Sequence, residues 1–583
     1  MSERTIGIAN VPITKILEPR AQIDNEKRYM VLEGIQDVVW NPTPATGING
    51  GAIPPSIVFN CPPPSPYNIV SRLVYLYFPI RMTVTGTANP APLLLWGSAD
   101  GFRNTPIQQI ISNIELKVNG TSVTIPTNRM NNALSWLTMY GENADLRYSM
   151  TPCMLDQFQN YNDFTQTAQN NGASGGSARN VLANYGESQF NAPRGGFPVV
   201  LGGLNSGTTM TVDAVLVEPL MISPLLALDD GPGLIGVQNM YVTLSIGNVA
   251  RMFAHNSTLN PNVISSVAVS FNSPPQLLFQ YLTPNELVTP FYKSVPYVYP
   301  YFELIPYITS FGSNIAPNAS NTVTANNIQL STIPKTLIIW VGQSYNDLSY
   351  NLPDSFFGIT QLQIQFEGKS STFTSATQQD LYRMSVKNGY KGSWAQFSKY
   401  TGSVLVINLG SDIGLYPNEA PGLGGTYQLR ITVTAVNLNQ SQNLNAELNV
   451  IACSEGAYSI FQNRVIAEIG IFSKADVMNA KLDRSLNYNN FKKMAPYGGD
   501  FFGLLKSLAG PALGLLPGGP IIRSLTGLGT SGGKKPRKSN KLMKHIKGKG
   551  VSGGNLQSSK GKMKLLTHES LMDKLNESES DTE

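Results

Sequence analysis

Residues able to carry covalent or metal chemistry are few in this chain and far apart. The first 500 residues hold one histidine, His255, in RMFAHNSTLN. One imidazole with no second histidine and no clustered cysteine supplies neither a zinc ligand set nor a Ser/His/Asp relay. His255 is therefore expected to be a satisfied or solvent-facing side chain. Cys61, Cys153 and Cys453 are odd in number and widely spaced, which gives no disulfide framework and no CxxC pair. G-x-S-x-G begins at Gly172, Gly529 and Gly550. All three copies lie in Gly/Ser-rich stretches, without the strand-to-helix turn that a nucleophile elbow needs. EGKS (367–370) resembles part of a phosphate loop, but Gln363 stands where the first glycine belongs. LDDGPG (228–233) sets two carboxylates side by side and reads as a turn. No catalytic residue, metal site or cofactor is expected, and the chain is read as a non-enzyme.

The elements that would have to position any site are strands. Charged residues make up 14% and hydrophobic residues 42%, with 53 Gly and 39 Pro as punctuation. That is the composition of short strands joined by many turns. Residues 1–50 read as an extended N-terminal arm. SIVFN, RLVYLYFPIRMTVTG, NIELKVNGTSVTIP, MTVDAVLVEPL, MYVTLSIGNV and SSVAVSFN follow as strand candidates, interrupted by an Asn/Gly/Ser loop at 157–195. A Pro- and Tyr-rich passage, 273–299, reads as a crossing linker, after which a second set of strands runs to about 495. The fold class expected is all-β: two consecutive jelly rolls, 51–272 and 300–495, with short inserted helices and a disordered basic C-terminal tail, 496–583.

An internal repeat supports the two rolls. KVNGTSVTIPTNRMNNALSWLTMYG (117–141) and QFEGKSSTFTSATQQDLYRMSVKNG (365–389) align without a gap. Each reads as strand, tight turn, strand, Thr/Ser/Asn cap, helix and glycine stop. In the first copy Thr127 or Asn128 is the expected cap, before Met130, Leu134, Leu137 and Met139. In the second, Leu381, Met384 and Val386 supply the apolar helical residues. The N-terminus lacks the apolar run of a secretory signal, and the five Asn-x-Ser/Thr sequons, Asn119 and Asn318 among them, are read as polar turns of an intracellular protein.

Several long stretches resemble the major capsid proteins of Sputnik-type virophages and of Polinton-like viruses. They are YPYFELIPYITSFGSNIAPNASNTVTANNIQLSTIPKTLIIWVGQS (299–344), SSTFTSATQQDLYRMSVKNGYKGSWAQFS (370–398) and FRNTPIQQIISNIELKVNG (102–120), with weaker support from ILEPRAQIDNEKRYMVLEG (16–34) and YGGDFF (497–502). The resemblance covers most of 10–500 and is poor over 157–195. It implies a structural protomer whose homotrimer forms a pseudo-hexagonal capsomer. Such capsomers tile an icosahedral virion around DNA and meet penton and minor capsid proteins, with assembly in the cytoplasm, a virus factory or the nucleus. The alternatives are a minor capsid, spike or carbohydrate-binding jelly-roll protein, or a cupin-like enzyme, which would need a histidine-rich metal cluster.

The tail is the basic part of the molecule. Residues 501–568 carry thirteen Lys/Arg and no Asp or Glu, and six acids follow in the last fifteen residues. Its apolar start, 498–529, is broken by Lys506, Pro511 and Pro517, so no stable membrane span is expected. Docking beneath the capsomer is the plainer reading, and contact with an internal membrane the other. Inside a capsid, Lys534, Lys535, Arg537, Lys538, Lys541 and Lys544 would neutralise genomic phosphates without reading sequence. KKPRK (534–538) also fits a nuclear-import signal, and a solvated tail without partner is the bland alternative. The resemblance further implies a maturation protease of the adenovirus type. LTGLG and IKGKG would place cleavage between Leu528 and Gly529 and between Lys549 and Gly550, whereas INGGA (48–52) shows how readily Gly-rich sequence matches.

Overall fold

The computed structural model describes residues 37–130, 199–284 and 297–480 apart from short breaks, together with two short paired strands, Arg4–Ile6 and Val11–Ile13. Sixteen strands among the described residues build two jelly rolls. The first consists of β1 (Gly51–Ala52), β2 (Ser56–Asn60), β3 (Tyr75–Thr87), β4 (Ile111–Val118), β5 (Thr121–Ile125), β6 (Thr209–Pro219), β7 (Met240–Ile246) and β8 (Val263–Phe271). Its sheets have the orders β1-β8-β3-β6 and β2-β7-β4-β5.

The second consists of β9 (Tyr297–Ile315), β10 (Ser320–Thr332), β11 (Thr336–Gln343), β12 (Gly358–Phe366), β13 (Lys369–Thr372), β14 (Val404–Asn408), β15 (Gly424–Val436) and β16 (Leu444–Phe461). Its sheets run β9-β16-β11-β14 and β10-β15-β12-β13, so adding eight to each strand number of the first roll gives the second. Alternation carries the cores. On β6, Met210, Val212, Ala214 and Leu216 point inward, and on β15 Tyr427, Leu429, Ile431, Val433 and Ala435 do so. The central strand β11 is buried on both faces from Leu337 to Gln343, which its continuous apolar run anticipates.

All ladders within the rolls are antiparallel. The connections β1–β2, β3–β4, β5–β6 and β7–β8 therefore lie at one end of the first roll, and the tight β4–β5 hairpin lies at the other. The same rule holds in the second roll. We refer to these as the loop end and the hairpin end.

Both hairpins turn in the same register. Val118 pairs with Thr121 and Phe366 with Lys369. The turn residues Asn119 and Gly120 have φ of 48° and 90°, and Glu367 and Gly368 have 45° and 76°, the positive values that a two-residue hairpin turn requires. In the second copy the chain goes on into helix α2 (Gln378–Lys387), following helix α1 (Pro106–Ile110) of the first roll. A Thr377/Asp380 capping box starts α2, and Gly389 follows its end at φ 117°. Leu381 is buried and Met384 packs on the core, but Val386 is 43% exposed. Ser385 takes the inward place instead, its hydroxyl donating to Leu381 O and accepting from Val406 N.

Three sequence readings differ from what is observed. Thr127, read as a helix cap, lies inside a 3₁₀ turn, 127–129, and its buried hydroxyl donates to Ile111 O. The linker passage contains a strand, Gln276–Thr283, hydrogen-bonded to β3, and the arm contains its partner, Asp37–Pro44. Pro42 and Pro44 fit there because an edge strand leaves one side without ladder donors. The helix read over Met130–Met139 beyond Met130, the 157–195 loop and residues 481–583 lie outside the described residues.

Candidate functional site

The two rolls stand side by side with the same polarity, and hydrogen bonds join them at both ends. At the hairpin end, Thr121 Oγ1 donates to Val465 O at 2.9 Å, and Ile235 N donates to the Tyr299 hydroxyl at 2.8 Å. Phe302 N donates to Ser223 Oγ at 3.2 Å. At the loop end, His255 N donates to Tyr350 O at 3.0 Å, and the Tyr350 hydroxyl donates to Ile264 O at 2.9 Å. Arg103, fully buried, reaches Phe253 O in the first roll and Ser349 O in the second.

Polar groups in this low-charge protein are concentrated at that loop-end junction. His255 Nδ1 lies 2.6 Å from Asp100 Oδ1, and both side chains are buried. Asp100 Oδ2 also accepts from Leu95 N and from Asn260 Nδ2, each at 2.7 Å. Near the end of β6 Glu218 is also buried, with its two oxygens on Ile107 N and Gln108 N. The carboxylate thus satisfies the first donors of α1, which has no side-chain cap of its own. His255 is therefore the satisfied histidine expected from sequence. Asp100, Arg103, Glu218 and Tyr350 were not singled out there. The available signal was that charged residues in apolar surroundings are costly to bury unless paired.

The other motifs resolve into structure. EGKS is the β12–β13 turn, with Lys369 Nζ 3.8 Å from the Tyr416 ring centroid and donating to Gly414 O. Cys61 is buried and Cys453 half-buried. Desolvation pushes both thiols up to about 12, which leaves neither as a thiolate nucleophile near neutrality. Among the described residues no group of three or more His, Cys, Asp or Glu could hold a metal ion, and no helix is long and apolar enough to cross a membrane. Cys153 and the G-x-S-x-G copies lie outside the described residues. So do the basic candidates Lys534, Lys535, Arg537, Lys538, Lys541 and Lys544 and the processing candidates Leu528, Gly529, Lys549 and Gly550.

The chain enters and leaves the described body at the hairpin end. Strand Gln276–Thr283 pairs with the first residues of β3 and continues past them along Ile69–Val70. It carries Asp37–Pro44 with Val38, Val39 and Trp40 exposed, Trp40 to 71%. On the second roll, Phe472 bridges to Leu423 in the β14–β15 connection, and a short helix, Lys474–Asn479, follows.

Comparison with known proteins matches both halves of this architecture in order. The family described as Sputnik virophage major capsid protein 1st domain matches residues 12–289, and major capsid protein V20 C-terminal domain matches 304–456, bracketing the start of β9. Capsid protein V20 of Sputnik virophage is 30% identical over 539 residues, covering 85% of this chain and 86% of its own length. The chain belongs to the virophage major capsid protein family. The Sputnik virophage structure determined by cryo-EM superposes with a TM-score of 0.74 at 27% identity, over 85% of this chain and 100% of the matched one. The mavirus major capsid protein crystal structure shares the fold, with a TM-score of 0.65 at 14% identity over 81% and 99% of the two chains. The expected double jelly roll and the virophage-type resemblance are both borne out. As a virophage-type major capsid protein, the molecule resides in the virion.

Proposed function

We propose that three copies form a pseudo-hexagonal capsomer and that such capsomers tile an icosahedral shell around a DNA genome. The observation that carries this is the pairing of two rolls of identical strand order and shared polarity in one chain. Three such chains present six similar barrels, so a threefold assembly packs with near-sixfold symmetry. The role is structural, not catalytic. Obligate contacts of this kind bury more than about 2,000 Å², and the exposed Val38, Val39 and Trp40 are candidates for such burial.

The hairpin end faces the genome in this reading, because the body's first strand, Asp37–Pro44, and its last helix, Lys474–Asn479, both lie there. Lys534, Lys535, Arg537, Lys538, Lys541 and Lys544 then lie on the inner side and neutralise phosphates. Penton and minor capsid proteins complete the shell. A maturation protease cutting after Leu528 would release the basic segment, whereas one cutting after Lys549 would leave it on the body; assembly takes place inside the host cell. Sedimentation of the purified protein tests the trimer: a species of three times the 63.2 kDa chain mass is expected, and a stable monomer would sink the proposal. Deleting 534–564 should leave trimers intact and weaken salt-sensitive DNA association. Unchanged DNA retention would refute the tail's role.

A further inference from the structure

At the loop end of the second roll a cavity of about 390 Å³ opens among the ends of β9 and β11 and the start of β16. This lies within the roughly 300–1,000 Å³ that small-molecule sites occupy. Its walls are Asn314, Gln343, Gln442, Asn443 and Asn445 with one carboxylate, Asp347; Leu444 adds the apolar contact.

The walls are fixed by hydrogen bonds to neighbouring backbone and by one bond between two lining side chains. Buried Asn437 donates to Ile315 O at 2.8 Å and to Gln442 O at 2.9 Å, and Asn439 Oδ1 accepts from Gln442 N at 2.8 Å. Ser344 N donates to Asn445 O, and Asp347 N to Ser344 O, both at 2.9 Å. Asn445 Nδ2 donates to Asp347 Oδ2 at 3.0 Å. A site held this way loses little freedom when it binds.

The lining excludes most ligand classes. It contains no Lys, Arg or His, so phosphate and carboxylate ligands lack a counter-charge. Amide carbonyls can ligate calcium, but one carboxylate balances only half of its double charge and already accepts from Asn445 Nδ2, so calcium is the competing occupant that the test must separate. Five amide side chains in seven lining residues make the cavity too polar for an apolar ligand. Each amide offers a donor and an acceptor close together, which matches vicinal hydroxyls, each of them also donor and acceptor. We propose that this cavity binds a neutral carbohydrate, one or two sugar rings in size. Its use in attachment rests on the outward placement of the loop end proposed above; sugar binding itself does not.

Saturation-transfer NMR on purified full-length protein, its assembly first checked by electron microscopy, tests this with the methyl glycosides of glucose, galactose, mannose, fucose and N-acetylglucosamine. At least one glycoside should give saturable transfer, weakened tenfold or more by Asp347→Ala and by Asn443→Ala. Asn443 is exposed, so its truncation leaves the fold intact. No transfer from any glycoside to well-assembled protein would overturn the site while leaving the capsomer reading untouched. So would transfer that both variants leave unchanged, or calcium binding lost in Asp347→Ala without a glycoside signal. Retention of particles on the immobilised sugar supports a surface glycan as source, and binding of the free sugar alone supports a soluble saccharide.

Discussion

Replacing Asp100 by alanine should unfasten the loop-end junction. The buried carboxylate accepts from His255 Nδ1 at 2.6 Å and from Leu95 N and Asn260 Nδ2 at 2.7 Å. Asp100→Ala leaves three donors around a small void. Each stranded donor costs about 1–3 kcal/mol, part of it recovered by relaxation and water entry, so the total is about 3–5 kcal/mol. For a roll of this size each kcal/mol lowers the melting temperature by roughly 2–4 °C, giving a fall of roughly 6–20 °C. The loss should also reach the second roll, because His255 N donates to Tyr350 O and Phe253 O accepts from Arg103. Thermal melting followed by fluorescence gives the first quantity. Hydrogen exchange gives the second, with amides at 253–255 expected to exchange at least about tenfold faster, the equivalent of 1.4 kcal/mol of local opening. Tyr350→Phe removes a single neutral bond to Ile264 O and should cost only about 1 kcal/mol. If Asp100→Ala melts within about 2 °C of the parent and keeps full protection at 253–255, the junction is not held by this carboxylate.

Three further outcomes follow from single positions. Thr377→Ala removes the α2 capping box and should cost about 1 kcal/mol, seen as faster exchange at 378–381 with the β14 amides unchanged. Gly456→Ala places a methyl group 1.9 Å from Glu468 O, so strand Arg464–Ile469 must leave its partner. Limited trypsin digestion should then cut at Arg464 in the variant and spare the parent. Glu303 is half-buried, and desolvation raises its carboxyl above the ordinary 4.5. The folded state therefore holds the proton more tightly than the unfolded one, and the charge costs stability as pH rises through that window. Glu303→Gln should melt higher than the parent at neutral pH, with the gain vanishing below about pH 4; a gain that persists in acid would show that packing, not charge, is responsible.

The parts legible from sequence were those set by local rules. Asn119-Gly120 in one hairpin and the aligned Glu367-Gly368 in the other gave the repeat, and the same positive φ pairs and registers are observed. Strand identity followed from alternation. What escaped was non-local. QLLFQYLT alternates as a strand should, but its neighbouring prolines and its partner more than 200 residues away concealed it. The Asp100–His255–Tyr350 junction joins loops of different rolls, and no periodicity links them. Val386 lies in the helix as read, but the apolar pattern could not show that it is exposed and that Ser385 takes the inward place, its hydroxyl bonding both its own helix and β14. The basic tail, legible as charge, has no described geometry to compare.

The central claim is that two rolls of one polarity build a threefold unit with its termini inside. A cryo-EM reconstruction of the assembled particle tests it most directly. The account predicts threefold capsomers of six upright barrels, with the 344–357 and 373–403 connections outward and the Asp37–Pro44 strand inward. Capsomers that are not threefold, or shells with Trp40 on the outer surface, would contradict it.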